Sequence, residues 1–596
     1  MRISHLIIGI FLRLVFAAPT INPRAGLVAP SDDPFYTPPT GYEDAELGSI
    51  LRIRKPESPL AIITLELDLQ EVYQILVRSE DTFHQPNAVV ATVLVPFNAD
   101  PGKLVSFHSA EDTASPNCAP SYAMQVDSPA STWITPQAEL ALIIPLLDEG
   151  YFVIVPDYEG PKAAFIAGYQ TGHAVLNCIR GALNLGSQIG LNSDAEVVLT
   201  GYSGGGFAVA WAAALHPTYA PELSILGGAM GGIPVEPLET AKNTMGTLFA
   251  GFIVAAVLGL SHEYPQLAEE LPSLLIPDQQ EYFYSAQDIC LVEILAFFAY
   301  ATWDQYCIEG DNVLDNPVVQ NITSQNSLLE NGLLPTIPLF IYSSEMDEIN
   351  PIESTDKLYD LYCSNGVNVE YRKDVFSEHI VTVVEGSGLA VNFVKDRFNK
   401  VELNPTCQNS TVAFDLLNEG GLVGLGDIIS GVVDVALGSE LGPSSPYSNT
   451  TSALSGSPAG SSGIIATVVN FVSNIIQKAI TPDDPDNLTK EEFIDILAGY
   501  INSIGNGISF ASNLISSIFG FGSSDTTSST ASSNSTGTSS GGGLISTLLS
   551  TGGSLVSSLL SNSTTDGSTS SSSSGGILSS LLSSATSIIS SLFTSK

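Results

Sequence analysis

Apolar runs of strand length recur through residues 32–407, at 61–65, 88–95, 104–107, 151–155, 197–200 and 339–342, with a further strand-like stretch at 367–371. Longer stretches with helical character, 162–185 and 207–215 among them, lie between several of these runs. Strand and helix alternating in this way predict an α/β fold, a mostly parallel sheet covered on both faces by helices. Residues 217–332 break the rhythm, with two apolar stretches at 247–260 and 289–302 and no clear strand between them. This reads as a helical insertion. Its run 251–260 is too short to span a bilayer, so it packs on neighbouring helices or faces lipid. The predicted core is therefore 32–216 plus 333–407, with a cap at 217–332.

Beyond Cys407 the pattern changes. Residues 408–521 are apolar and glycine-punctuated, and predict helices. Residues 522–596 are Ser/Thr/Gly-rich, with short apolar islands at 544–549, 555–560, 577–582 and 588–593. Such tracts predict a largely disordered, solvated tail. Weak attachment to a wall, membrane or oil surface is the alternative reading.

The N-terminus shows Arg2, an apolar run at 6–16 and then Ala17-Ala18-Pro19, which predicts a signal peptide at 1–17. Arg13 and the short run argue against a membrane span. The sequons at Asn321, Asn409, Asn449, Asn487, Asn534 and Asn562 suit a glycosylated, exported product. Lys+Arg 20 against Asp+Glu 62 gives a net charge of -42. That disfavours nucleic acid, which requires a basic face, and equally disfavours docking on anionic lipid. The six cysteines of an exported chain should be mostly paired, although spacing alone cannot give the pairing. No CxxC or His/Cys cluster points to a metal, and no cofactor is expected.

The sharpest chemical signal is Gly201-Tyr202-Ser203-Gly204-Gly205, placed after the strand 197–200 and before the helix 207–215. A serine at a tight strand-to-helix turn is pushed outward, and flanking glycines relieve the crowding. Ser203 is the predicted nucleophile. It needs a base and an acid, which in this fold follow in the order Ser, Asp or Glu, His. Of the seven histidines, His5, His84, His108 and His173 come too early, His216 sits on the elbow helix and His262 falls in the insertion. His379 remains. For the acid, Asp347 lies in the loop after the strand 339–342, with Glu345 and Glu348 as competitors. One oxyanion donor should be the Gly204 N–H, and the other should come from the loop after the strand 104–107.

These residues resemble the fungal secretory lipase family. The likeness runs from Asp32-Asp-Pro-Phe-Tyr through Glu111-Asp and Cys118-Ala-Pro-Ser-Tyr to Glu159-Gly-Pro-Lys-Ala-Ala-Phe-Ile-Ala-Gly-Tyr. It continues through the Ser203 motif, Tyr219-Ala-Pro-Glu-Leu, Asp347-Glu-Ile-Asn-Pro and Glu378-His. The resemblance implies an α/β-hydrolase core with a helical cap, and the triad Ser203, Asp347 and His379. It places the N–H groups of Asp112 and Gly204 at the oxyanion hole. It also implies disulfides Cys118–Cys290 and Cys363–Cys407, leaving a third bridge between Cys178 and Cys307 as a guess. The expected protein is a secreted monomeric lipase that hydrolyses acylglycerol esters at an oil–water interface. Two rivals remain: an esterase or serine peptidase on the same fold, and a non-catalytic surface glycoprotein suggested by the tail. The tail has no counterpart in the family.

Overall fold

The computed structural model describes residues 27–443, apart from 63–64, 414–418 and 437. The expected signal peptide, the tail at 522–596, most of 408–521 and the sequons Asn449, Asn487, Asn534 and Asn562 lie outside the described residues. Of the two units into which the chain divides, the first, Met1–Ser462 with Ala479–Leu488, contains every described residue.

Among the described residues the strands are β1 (Ile50–Arg54), β2 (Ala61–Ile62), β3 (Leu65–Glu66), β4 (Glu71–Glu80), β5 (Pro86–Val95), β6 (Lys103–His108), β7 (Phe152–Pro156), β8 (Glu196–Tyr202), β9 (Ile225–Gly231), β10 (Leu339–Ser344), β11 (Val369–Asp374) and β12 (Gln408–Val412). Ten of them form one sheet in the order β1-β4-β5-β7-β6-β8-β9-β10-β11-β12, while β2 and β3 pair separately. From β7 to β12 every pairing is parallel, and β1, β4 and β5 add an antiparallel edge.

The principal core helices are α1 (Ala130–Asp148), α2 (Gly168–Ile189) and α3 (Gly204–Tyr219). The cap includes α4 (Pro237–Thr244), α5 (Gly251–Glu263), α6 (Pro265–Leu274), α7 (Leu291–Phe297) and α8 (Pro317–Gln325), and α9 (Ile352–Ser364), α10 (His379–Phe398) and α11 (Glu419–Ala436) follow. Successive side chains of a strand point to opposite faces, and the core divides accordingly. Val197 and Leu199 of β8 join one cluster with α2 and α3, while Val198 joins a second with α1 and α10. Helices therefore cover both faces of the sheet. Strands β5 and β7 are almost wholly buried, as continuous apolar runs require, and the outermost strand β12 is largely exposed.

Two boundaries differ from expectation. Strand β9 belongs to the sheet yet falls inside 217–332, so the helical insertion begins after it, with α4. Its sequence, Ile-Leu-Gly-Gly-Ala-Met-Gly, is too rich in small residues to read as a strand. A Cβ at Gly228 would sit 2.9 Å from Cγ1 of Val209 on α3, so close packing selects the glycine. Strand β12 likewise carries the sheet past Cys407, and its polar sequence gives no apolar signal. The apolar helix α5 is mainly a packing helix, with Ile253, Val254, Ala255 and Leu258 buried in the main core. Asn321 on α8 and Asn409 on β12 are exposed.

Candidate active site

Strand β8 ends at Tyr202 and α3 starts at Gly204, which leaves Ser203 alone at the turn. Its φ of 55° and ψ of −119° put a non-glycine residue in a sparsely populated region, held there by its neighbours. The Ser203 N–H donates to the Gly231 carbonyl at 2.9 Å. A Cβ on Gly205 would lie 1.9 Å from the His108 carbonyl oxygen, so α3 can approach β6 this closely only through a glycine. The tight elbow follows directly from these contacts.

His379 opens α10, and its ring bridges two side chains from other elements. Nε2 lies 2.9 Å from Ser203 Oγ, and Nδ1 lies 2.7 Å from Asp347 Oδ2. The second oxygen of Asp347 accepts from the N–H groups of Ile349 and Asn350 at 2.9 and 2.8 Å, which fixes the carboxylate toward the ring. Burial works against charge on His379, but attraction and hydrogen bonding from Asp347 outweigh it and hold the imidazole above its ordinary pKa. The arrangement can take a proton from the serine and stabilise the resulting imidazolium.

The competing acids occupy other places. Glu345 is exposed, whereas Glu348 accepts the backbone N–H of His379 at 2.8 Å and so braces the start of α10. The Tyr202 hydroxyl donates to the His379 carbonyl at 2.7 Å, with the two rings 5.0 Å apart. Asn350 donates to the Gly232 carbonyl at 2.8 Å. Sequence reasoning did not assign these three positioning roles. The only signal was their adjacency to the named residues.

Gly204 and Asp112 are also brought together. A Cβ on Gly204 would stand 2.1 Å from Asp112 Oδ1, so the carboxyl reaches the elbow itself. The Asp112 amide, expected as a donor, lies near the buried Glu159 carboxylate. Asp112 has φ 50°, and its Oδ1 is buried with no hydrogen-bond partner. Desolvation pushes its carboxyl up to about 7. A carboxyl that retains its proton there can act as a donor.

More acids lie behind it. Burial likewise raises Glu139 to about 8 and Asp157 to about 7, and it raises Glu111 and Glu159 well above the ordinary carboxylate range, aided by the charge of Glu159 on Glu111 and of Asp112 on Glu159. Ser121 donates to both Asp157 oxygens through its amide and hydroxyl, at 2.8 and 2.5 Å. Ala110 N–H donates to Glu139 at 3.0 Å.

Both disulfides implied by the resemblance are present, Cys118–Cys290 and Cys363–Cys407. The first ties the segment after Asp112 to the cap, beside a hydrogen bond from the Thr113 hydroxyl to the Ile289 carbonyl at 3.2 Å. The third does not form. Cys178 and Cys307 are free and buried, on α2 and just before the cap's 3-10 turn Gly310–Asp315. No helix of the described residues is long and apolar enough to cross a membrane.

The secretory lipase family model matches residues 124–405. Lipase 4 of Candida albicans is 42% identical over 412 residues, covering 67% of this chain and 88% of that protein. Lipase A of Arthroderma benhamiae is 41% identical over 423 residues, 70% of this chain and 90% of that protein. Among solved structures, Candida antarctica lipase A superposes with a TM-score of 0.61 at 28% identity, covering 68% of this chain and 95% of that one. The chain therefore belongs to the secretory lipase family and is a lipase, a hydrolase of carboxylic esters.

Proposed function

We propose that this protein is exported and hydrolyses acylglycerol esters to free fatty acids through an acyl-enzyme on Ser203. The observation that carries this reading is the ring of His379, hydrogen-bonded to Ser203 at Nε2 and to Asp347 at Nδ1. His379 takes the Ser203 proton as the oxygen attacks the ester carbonyl, and the imidazolium, steadied by Asp347, then protonates the leaving alcohol. Water repeats the sequence on the acyl-enzyme and releases the acid. The tetrahedral oxyanion is received by the Gly204 N–H and by Asp112, acting through its protonated carboxyl. Each donor contributes about 3–4 kcal/mol at such a site.

An acidic chain meets an oil surface through apolar contact rather than charge. Ile380 and Val384 lie four residues apart on one side of α10, immediately after His379, and both are exposed. Phe376 and Met346, on the adjoining loops, are exposed as well. These side chains put exposed apolar surface on the segments next to Asp347 and His379, suited to an oil–water interface. The cap supplies the apolar lining for the acyl chain.

The test is Ser203→Ala in the secreted protein, assayed on a long-chain triacylglycerol. Hydrolysis should fall by at least about 10⁴-fold with unchanged secretion and melting temperature. Retained hydrolysis would remove the assignment.

A further inference from the structure

We infer that Glu80, His84 and His173 form a binding site for one divalent transition-metal ion of the imidazole-preferring class, zinc foremost. The ligand atoms of the three residues all lie within 4.8 Å of one another. They come from separate parts of the chain: Glu80 closes β4, His84 sits in the turn before β5, and His173 lies in the second turn of α2. The cluster is invisible to sequence spacing because its two histidines are 89 positions apart.

The two histidines are held by groups outside the cluster. The turn is braced by Asp81, whose carboxylate accepts the N–H groups of Phe83 and Gln85 at 2.8 and 2.9 Å. Asp81 N–H donates to the Gln85 carbonyl, and His84 N–H donates to the Asp81 carbonyl. His84 is thereby kept at φ 57°, a conformation unusual outside glycine and asparagine, with Nδ1 2.5 Å from Glu80 Oε1. His173 is 1% exposed and stacked on Tyr219 at 4.3 Å. Its Nδ1 donates to the Asp81 carbonyl at 3.1 Å, so the lone pair belongs to Nε2. A backbone carbonyl that fixes the tautomer of a ligating histidine is the usual support of such sites.

Two imidazoles and one carboxylate, with the remaining positions open to water, suit zinc, copper or nickel better than calcium or magnesium. Bonds of 2.0–2.1 Å in a tetrahedral shell place donors about 3.4 Å apart, so the set must contract slightly. The His84 side chain, 67% exposed, is free to make that movement. The local field favours a cation. Asp81 and Glu263 flank the turn, with Lys162 between them at 3.7 and 3.4 Å. The ion would clamp the β4–β5 turn to α2. It would play no part in ester hydrolysis, since β4 is four strand spacings from β8, roughly 19 Å.

The test uses the full, untagged chain, stripped by chelator and titrated with Zn²⁺ by calorimetry and with Co²⁺ by visible absorption. One ion should bind per chain, with cobalt bands characteristic of nitrogen ligation and a zinc-dependent rise in melting temperature. His84→Ala and Glu80→Gln, both on the hairpin and outside the catalytic machinery, should each weaken binding at least ten-fold. Ester hydrolysis should remain unchanged in both. Absence of stoichiometric binding to the native chain, or binding equally tight in both variants, would overturn the site.

Discussion

The two walls beside Ser203 are built on opposite principles. On one side the elbow is made of small residues and backbone: Gly204, Gly205 and Gly206 start α3, and Gly205 touches the His108 carbonyl with no room for a side chain. On the other side Glu111, Asp112, Glu139, Asp157 and Glu159 are packed into the interior, each with its carboxyl pKa raised chiefly by desolvation. The first wall is fixed by steric fit and has nothing to titrate. The second depends on retained protons. Positioning of the nucleophile should therefore be insensitive to pH, while reception of the oxyanion and stability of the wall should not.

The largest effect separating the two belongs to the elbow. In Gly205→Ala the added methyl collides with the His108 carbonyl and moves Ser203 away from His379. Esterase kcat/KM should drop about 10²-fold or more, by a similar factor at every pH, since ångström-scale misplacement costs this much. A loss confined to one pH range would contradict the steric account.

A smaller effect belongs to Asp112. The base must be unprotonated, so kcat/KM should rise as pH passes the raised pKa of His379. It should fall again as Asp112 ionises near 7 and presents a negative charge to the oxyanion. Asp112→Asn keeps a donor at every pH, so the alkaline fall should vanish with only a few-fold loss at the optimum. An unchanged fall would assign it elsewhere.

The smallest effect is on stability. Between pH 6.5 and 8 the native carboxyls hold protons that the unfolded chain has already released, because their pKa values lie above the ordinary carboxylate range. The native state binds more protons, so stability must decrease as pH rises through this window. Glu139, at about 8, accounts for roughly 2 kcal/mol of the loss. The buried His108 and His173, held down to about 3 and about 4, act in the opposite sense as unfolded histidine releases its proton around pH 6.5, which offsets part of the fall at the lower end of this window. The melting temperature should fall from pH 6.5 to 8, and by less in Glu139→Gln. A rise over that interval would mean that these acids are already ionised in the folded protein.

The same contrast explains what the sequence disclosed. Steric demands leave local marks: the glycines around Ser203 announce the elbow, and chain order then leaves His379 as its partner. These two residues and Asp347 lie in hydrogen-bonding contact, although they are spread over 177 positions. Strands β5, β6, β7, β8 and β10 were legible because each is a short apolar run with no competing period. Strand β9 was not, since the close approach of α3 had replaced its apolar side chains with glycine. Burial of the carboxylates left no mark either. Glu111, Asp112 and Glu159 stand in the motifs of the family resemblance, but only the tertiary fold packs them into the interior. Long-range polar assemblies, including Glu80, His84 and His173, have no period to detect.

The account rests on an activated hydroxyl at Ser203. A fluorophosphonate ester, followed by peptide mass spectrometry, measures this directly. The native protein should carry a single phosphonyl group on the peptide containing Ser203, and His379→Ala should label at least about 10³-fold more slowly. Labelling at a different serine, or labelling of Ser203 at the native rate without His379, would contradict it.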